Sequence, residues 1–275
     1  LLAIELQKIW KNRASKVLTI GYFVILSFIA LIASIKFDIG IFKFHLAEMG
    51  IFNFPYIWHF NTYIASFLKI FLAVIIVSMM ANEYSYGTLK QNLIDGMSKK
   101  ELILSKFLTI VLFAGISTLF VFVMSLFLGY GFSSYTEIGI VFSDLEYLLA
   151  YFVKLLGFFS FCLFLGVLIK RSAFALGSLF IWFIFEKISY GILKFNIYNK
   201  SPKVDDVYAF MPLESMSNLL VEPFTRLSSV KNLQEAVGEN SIKDYDVHLS
   251  SILIVITWTL IFVYSSYIII KKRDL

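Results

Sequence analysis

The sequence predicts an all-α membrane protein that crosses the bilayer as six helices. The 275 residues are 59% hydrophobic and only 16% charged, whereas a soluble domain has about 45–50% apolar and about 25% charged residues. Six stretches also reach the roughly 20 mostly apolar residues that a spanning helix needs. They are Val17–Ile35, Ile57–Ala81, Phe107–Tyr130, Tyr147–Ile169, Ala173–Leu193 and Leu249–Ile270. Because no stretch is left for a sizeable soluble core, we expect one transmembrane domain over residues 1–275.

Residues 1–16 predict an interfacial helix ahead of the first span. The apolar side chains that recur at helical spacing are Leu2, Leu6, Ile9 and Trp10. Charged and polar residues occupy the opposite face, which is the pattern of a helix lying in the membrane surface. The segment is therefore expected to form an amphipathic elbow that leads into the bilayer.

The distribution of lysine and arginine predicts that both termini are cytoplasmic. Short cytoplasmic loops carry an excess of these residues. On the expected inner side the basic residues are Lys8, Lys11, Arg13, Lys16, Lys90, Lys99, Lys100, Lys106, Lys170, Arg171, Lys271, Lys272 and Arg273. The two short outer loops hold only Lys36 and Lys43, and the long 194–248 loop has little weight in this rule. We expect a multi-pass protein of the bacterial cytoplasmic (inner) membrane.

The net charge of +5 does not indicate a nucleic-acid partner. The basic residues are split among short loops and are not gathered on one face. No group of residues resembles a metal-ligand cluster, and the single cysteine, Cys162, lies in an apolar span. An intrachain disulfide is therefore excluded. The surroundings we expect are membrane lipids, with no bound metal.

The loop at 194–248, which the charge distribution places outside, predicts a short helix. Pro212 suits the first position of a helix, where its missing N–H costs nothing. The apolar residues that follow at helical spacing are Leu213, Met216, Leu219 and Leu220. We expect an amphipathic helix that lies on or dips into the outer leaflet.

The loop between the second and third spans, residues 82–101, contains several signals that start and end helices. Thr88 with Gln91 matches a capping box, so a helix is expected to begin at Leu89. Gly96 supplies a left-handed residue that ends this helix after about two turns. The pattern predicts a short, separately capped helix on the cytoplasmic side.

A second capping box, Ser98 with Glu101, precedes the third span. Leu89, Leu93 and Met97 share one face of the short helix. Connections between packed helices usually need only a few residues. The longer, capped connection therefore indicates that another protein docks there, although a well-capped turn without a partner stays possible.

This loop resembles the signature of the type-2 ATP-binding-cassette (ABC) transporter permeases. The matching residues are Glu83, Gly87-Thr88-Leu89, Ser98-Lys99-Lys100-Glu101 and Lys106. The resemblance extends to the layout, with an amphipathic elbow, six spans and short outer helices before the last span. Ser98 and Lys99 depart from it, because many members have Pro and Arg in this region.

The resemblance implies the permease subunit of an ATP-driven exporter that works by alternating access. It implies that two permease subunits pair as a homodimer or related heterodimer, and that each binds one of two cytoplasmic ABC ATPase subunits through the coupling segment 82–101. Together with the shared face of the short helix, it predicts these docking residues: Glu83, Gly87, Thr88, Leu89, Leu93, Met97 and Lys106. The chain has no Gly-x-x-x-x-Gly-Lys-Ser/Thr loop for phosphates. ATP and magnesium would therefore belong to the partner, and this chain is expected to bind no cofactor and to be no enzyme.

Four charged residues lie within the spans: Lys69, Lys154, Glu186 and Lys187. A lone charge at mid-membrane costs about 2.5–3.5 kcal/mol on insertion scales, so each needs a partner or a route to water. We hypothesise that Glu186 pairs with Lys69 or Lys154. These charges are either structural ion pairs and snorkelling side chains or the polar lining of a substrate path.

Two other classes of function compete with an exporter. A membrane-embedded enzyme needs clustered catalytic residues at one depth, but His45, His59 and His248 all lie in or near outer loops and no His-Glu-x-x-His motif is present. A non-transporting anchor or mechanotransmitter of an ATPase-driven envelope machine shares the same fold and stays open. If the chain exports, its phenylalanine-rich spans favour a hydrophobic or amphipathic cargo.

Overall fold

The computed structural model describes residues 2–35, 37–39, 42–44, 49–197, 201, 203–227 and 243–273. Its helices are α1 (Leu2–Lys11), α2 (Arg13–Ser34), α3 (Tyr56–Ser85), α4 (Thr88–Ile94), α5 (Lys99–Phe132), α6 (Ile138–Val141), α7 (Glu146–Ile169), α8 (Ser172–Ile192), α9 (Lys203–Tyr208), α10 (Pro212–Asn218) and α11 (Leu249–Lys272). A π-helical turn, Leu193–Ile197, extends α8, and a 3-10 turn covers Phe224–Arg226. Strands β1 (Phe37–Ile39) and β2 (Phe42–Phe44) form an antiparallel hairpin in which Phe37 pairs with Phe44. Lys36, His45 and the side chain of Lys43 lie outside the described residues.

Six of the helices in the described ranges are long and apolar enough to cross a membrane. They are α2, α3, α5, α7, α8 and α11. This confirms the predicted all-α membrane fold. Some helices run beyond their apolar stretches: α5 begins at Lys99, well before Phe107, because Ser98 caps it. The Ser98 hydroxyl accepts from the Glu101 amide at 3.1 Å, and the Glu101 carboxylate accepts from the Ser98 amide at 2.8 Å.

Helix α7 lies at the centre of the bundle and packs against α3, α5, α8 and α11. In the 18-residue apolar stretch of this span, 72% of the residues are buried. Such burial is expected of a helix that is apolar on nearly every face. Two glycines permit close packing. A Cβ at Gly157 would lie 2.7 Å from Val255 on α11, and one at Gly166 would lie 3.2 Å from the Val77 carbonyl on α3.

Hydrogen bonds gather the ends of several spanning helices on one side of the molecule. Arg273, just after α11, donates to the Tyr84 hydroxyl and to the Val167 carbonyl, each at 2.6 Å. Lys99, at the start of α5, donates to the Arg273 carbonyl at 2.8 Å. We call this the terminal side, since α1 and the end of α11 both lie there.

The opposite side carries α6, α9 and α10. Helix α10 begins at Pro212, and the side chains of Met216, Leu219 and Leu220 are buried. It packs against α7, α8 and α11. The structure therefore places a short helix where the proline and the apolar spacing predict one, and seats it on the bundle.

Candidate functional site

Helix α4 on the terminal side is bounded by two glycines in the left-handed conformation. Gly87 has φ +69° and Gly96 has φ +97°, a region that glycine occupies without steric cost. Gly96 ends the helix as predicted, and its amide donates to the Leu93 carbonyl at 3.2 Å. The predicted cap at Thr88 is wrong. The helix starts one residue earlier with Gly87 as its N-cap, and the Thr88 hydroxyl donates instead to the charged Glu83 carboxylate at 2.6 Å, which is the stronger acceptor.

Glu83, near the end of α3, lies at the centre of this region and is only 2% exposed. One carboxylate oxygen accepts from Lys8 Nζ at 2.7 Å and from Lys106 Nζ at 2.8 Å. The other accepts from Thr88 Oγ1 at 2.6 Å and from Asn92 Nδ2 at 3.1 Å. A single side chain therefore links α1, α3, α4 and α5.

A second carboxylate, Glu5 on α1, completes a group that we call the Glu83 cluster: Glu5, Lys8, Glu83 and Lys106. Lys106 Nζ lies 2.6 Å from Glu5 and Lys8 Nζ lies 3.7 Å from it. Two acids thus face two lysines. Burial alone lowers the pKa of Lys8, but hydrogen bonding to Glu83 and the charges of both glutamates outweigh burial and raise this pKa above its usual range. Lys8 is therefore held in its charged form.

Helix α1 packs on the bundle through only part of its apolar stripe, together with an acidic residue. Glu5 and Ile9, four residues apart, are buried against the bundle, whereas Leu6 and Trp10 are exposed. The acidic position faces inward because Lys106 lies there, fully buried and in need of a partner. The i, i+3 spacing of Glu5 and Lys8 is the only local signal for the cluster, and it does not reveal a partner about a hundred residues away.

The predicted docking face of α4 is partly turned inward. Leu89 is 2% exposed and belongs to the hydrophobic core, while Leu93 and Met97 are half-buried. Ile94 and Tyr86 are the large side chains that protrude, at 77% and 75% exposure. The spacing of apolar residues missed Ile94 because it identified the face that packs on the chain itself.

Glu186 does not form the ion pair that we hypothesised. Its carboxylate accepts from Trp182 Nε1 at 2.7 Å and from the backbone amides of Leu213 and Glu214, both at 3.1 Å. Among the described residues it makes no salt bridge with either intramembrane lysine. The first turn of α10 presents free N–H groups to Glu186, and these satisfy the carboxylate without a cation.

The four intramembrane charges nonetheless line one cavity. It has a volume of about 470 Å³ and lies between α3, α7, α8 and α10. Lys187 pairs with Glu214 at 2.8 Å. Lys154 donates to the Ser217 carbonyl at the long distance of 3.5 Å, and Lys69 lies 4.6 Å above the ring of Phe158.

Among the described residues, no group of three His, Cys, Asp or Glu side chains could hold a metal ion. The histidines with described side chains are separately engaged. His59 hydrogen-bonds the Val221 carbonyl at 2.7 Å, and His248 bonds Asp244 at 2.9 Å.

Comparison with known proteins agrees with this architecture. A family model described as "ABC-2 family transporter protein" matches residues 2–275, which is nearly the whole chain. No curated protein matches the chain. The matched region includes α4, the Glu83 cluster and all six candidate spans. The chain therefore belongs to the ABC-2 transporter family, in which it is a membrane-spanning permease component.

Proposed function

We propose that this chain is the permease subunit of an ATP-driven exporter and that a separate ATPase subunit docks on the exposed face of α4. The observation that carries the proposal is the exposure of Ile94 at the end of α4 and of Tyr86 just before it, on a helix that is fixed to the bundle through Glu83. Well-packed apolar and aromatic side chains commonly anchor protein interfaces. In this assignment the terminal side faces the cytoplasm.

The Glu83 cluster couples this docking face to helices of the membrane domain. Because Glu83 bonds to Thr88 and Asn92 on α4 and to Lys8 and Lys106 on α1 and α5, a force on α4 acts on three further helices at once. We propose that ATP and magnesium, bound by the partner, close two ATPase subunits. This closure moves α4 together with α3 and α5, and the permease alternates between inward and outward access.

A second permease subunit is part of the proposed working unit. In the 18-residue apolar stretch of the α8 span, only 6% of the residues are buried. The side chains of Phe180 and Ile181 are 63% and 66% exposed. We propose that a second copy of the chain packs along α8, so that two six-helix halves enclose the path. A related permease chain in the same place is the alternative.

Replacement of Ile94 by Asp tests the docking face. Ile94→Asp places a charge at the centre of the proposed interface, so the ATPase is expected to be lost when the tagged chain is purified in mild detergent. Ile138→Asp is the matched control, because Ile138 is 73% exposed and lies on α6, on the opposite side. Mass spectrometry of the co-purified proteins gives the readout. Full retention of the ATPase by Ile94→Asp would contradict this docking site.

Export is distinguished from mechanical work by the response to cargo. In the assembled complex, an exporter is expected to hydrolyse ATP faster when its amphipathic substrate is added. A mechanotransmitter would show no such response to any amphiphile, and its ATPase rate would follow its protein partners instead.

A further inference from the structure

The cavity between α3, α7, α8 and α10 contains two lysines that have no carboxylate partner among the described residues. Lys154 is 3% exposed, and its ammonium reaches one carbonyl oxygen at the long distance of 3.5 Å. Lys69 makes no hydrogen bond or salt bridge in the described residues, and its ammonium lies 4.6 Å from the centre of the Phe158 ring. An ammonium group has three N–H donors, so most of this hydrogen-bonding capacity is unused.

The acidic residues of the same cavity are already engaged. Glu186 accepts three hydrogen bonds from Trp182, Leu213 and Glu214, and the Glu214 carboxylate binds Lys187. The cavity thus has a surplus of positive charge at Lys69 and Lys154. A buried charge in apolar surroundings is unfavourable unless it is paired. A ligand with a negatively charged group would pair with these two ammonium groups.

The rest of the lining is apolar and opens sideways. Phe67 on α3 and Phe180 and Phe183 on α8 border the cavity and are 59%, 63% and 46% exposed. These rings lie along spanning helices, at the depth of the bilayer hydrocarbon. An occupant that enters past them carries an apolar portion next to its negative group.

We infer that this cavity binds the anionic headgroup of a membrane amphiphile, with Lys69 and Lys154 contacting its phosphate or carboxylate and its chain lying against Phe180 and Phe183. The inference rests on the proposed function in one respect, because it identifies this amphiphile as the exported cargo. It narrows the class of cargo from amphipathic to anionic and amphipathic.

Lipid binding by the purified full chain tests the site. The chain is exchanged into nanodiscs of equal amounts of phosphatidylcholine and phosphatidylglycerol, and native mass spectrometry measures which lipid is retained. We expect enrichment of phosphatidylglycerol in the parent and about a tenfold loss of enrichment in Lys69→Met/Lys154→Met, the effect of removing charged hydrogen bonds. Lys100→Met is expected to retain the enrichment, because Lys100 is exposed at the start of α5 on the terminal side and does not line the cavity.

The arginine double variant separates lost recognition from lost folding. Lys69→Arg/Lys154→Arg keeps both charges and is expected to keep the enrichment. Unchanged enrichment in the methionine double variant would overturn the site. A competition experiment distinguishes an amphiphile from a soluble anion. If inorganic phosphate displaces phosphatidylglycerol as effectively as a lysophospholipid does, the site binds a soluble anion and the assignment to an amphiphile is overturned.

ATP hydrolysis by the assembled complex separates this inference from the proposed function. If phosphatidylglycerol stimulates the parent complex but not the methionine double variant, the bound amphiphile is cargo. Lipid enrichment without any ATPase response overturns the identification as cargo. Failure of an ATPase to co-purify with the parent overturns the proposed function and leaves the binding result standing. If the complex is intact but phosphatidylglycerol is neither enriched nor stimulates ATP hydrolysis, only this inference is overturned.

Discussion

Glu83 illustrates how a charge becomes structural when every lone pair is used. Exposed ion pairs contribute about 0–1 kcal/mol, because water competes and two long side chains lose freedom. Glu83 is shielded from water and receives two ammonium groups, a hydroxyl and an amide. The loss of any one member is therefore destabilising, because the remaining charges are buried and cannot be hydrated instead.

Replacement of Lys106 by Met is expected to destabilise the protein strongly. Lys106 is fully buried between Glu5 and Glu83, so the variant leaves two buried carboxylates with Lys8 as their shared cation. Breaking a buried pair in this way costs about 3–5 kcal/mol. The midpoint of thermal denaturation in detergent measures the effect, with exposed Lys90→Met on α4 as a control that changes little. Equal midpoints for the two variants would contradict the role of the cluster.

The sequence identifies some residues of the Glu83 cluster and not others. Glu83 and Lys106 follow from the family signature, because their positions are fixed relative to the loop. Glu5 and Lys8 do not, since their partners are 101 and 75 residues away and only the packing of α1 brings them together. The exposure of Ile94 likewise depends on which side of α4 meets the core.

Helix α4 is an element that depends on its surroundings. Its seven residues are far fewer than the 12–15 or so that a helix needs to be marginally stable alone in water. It is held by left-handed glycines at both ends, by buried Leu89 and by the two side chains that bond Glu83. A partner that pushes on α4 therefore meets a preformed surface.

Helix α10 depends in a similar way on Glu186. The carboxylate accepts the amides of Leu213 and Glu214, which are otherwise unsatisfied at a helix start. Glu186→Gln replaces one of these acceptors with an amide that repels the N–H group. We expect a loss of about 1 kcal/mol, typical of a helix cap, and several-fold faster hydrogen exchange in peptides covering 212–218.

Hydrogen exchange by mass spectrometry measures this change, and Glu137→Gln provides the control. Glu137 is the N-cap of α6, is exposed and makes no capping hydrogen bond, so its replacement is expected to leave exchange unaltered. Equal exchange in Glu186→Gln and the parent would show that α10 is held by its apolar contacts alone.

The spanning elements are the part of the fold that the sequence predicts well, because about 20 apolar residues have few alternatives to a membrane helix. Helix ends are harder to predict. The capping box at Ser98 was readable and explains the early start of α5, but the lone glycine cap of α4 was misassigned to Thr88. The inward face of α1 was not predictable, because it is decided by the buried lysine of another helix.

Burial is distributed unevenly over the whole molecule. Helix α7 is enclosed by its neighbours, whereas α8 lies at the edge with almost its entire surface outward. The lysine cavity opens along that same edge. A second copy placed along α8 would therefore cover the cavity from the side and make it part of a shared interior.

A cysteine on α8 tests this arrangement. The chain has one cysteine, Cys162, which is buried, so an introduced thiol reacts alone. Ile181→Cys is expected to give a disulfide-linked dimer on oxidation in membranes, because a disulfide needs Cβ atoms about 4 Å apart. Phe127→Cys on α5, 77% exposed, is the control and is expected to stay monomeric on a denaturing gel. Equal dimer yields at both positions would indicate random collision.

The bonds of Arg273 to Tyr84 and to the end of α7 have a practical consequence for handling the protein. A label attached at Arg273 would lie beside the end of α3 and the start of α5, which flank α4. An affinity tag or fluorescent protein placed there would compete for space with an ATPase docked on α4 as proposed, and its effect could be mistaken for that of a mutation. Labels are better inserted near exposed Ile138, where the bundle separates them from α4.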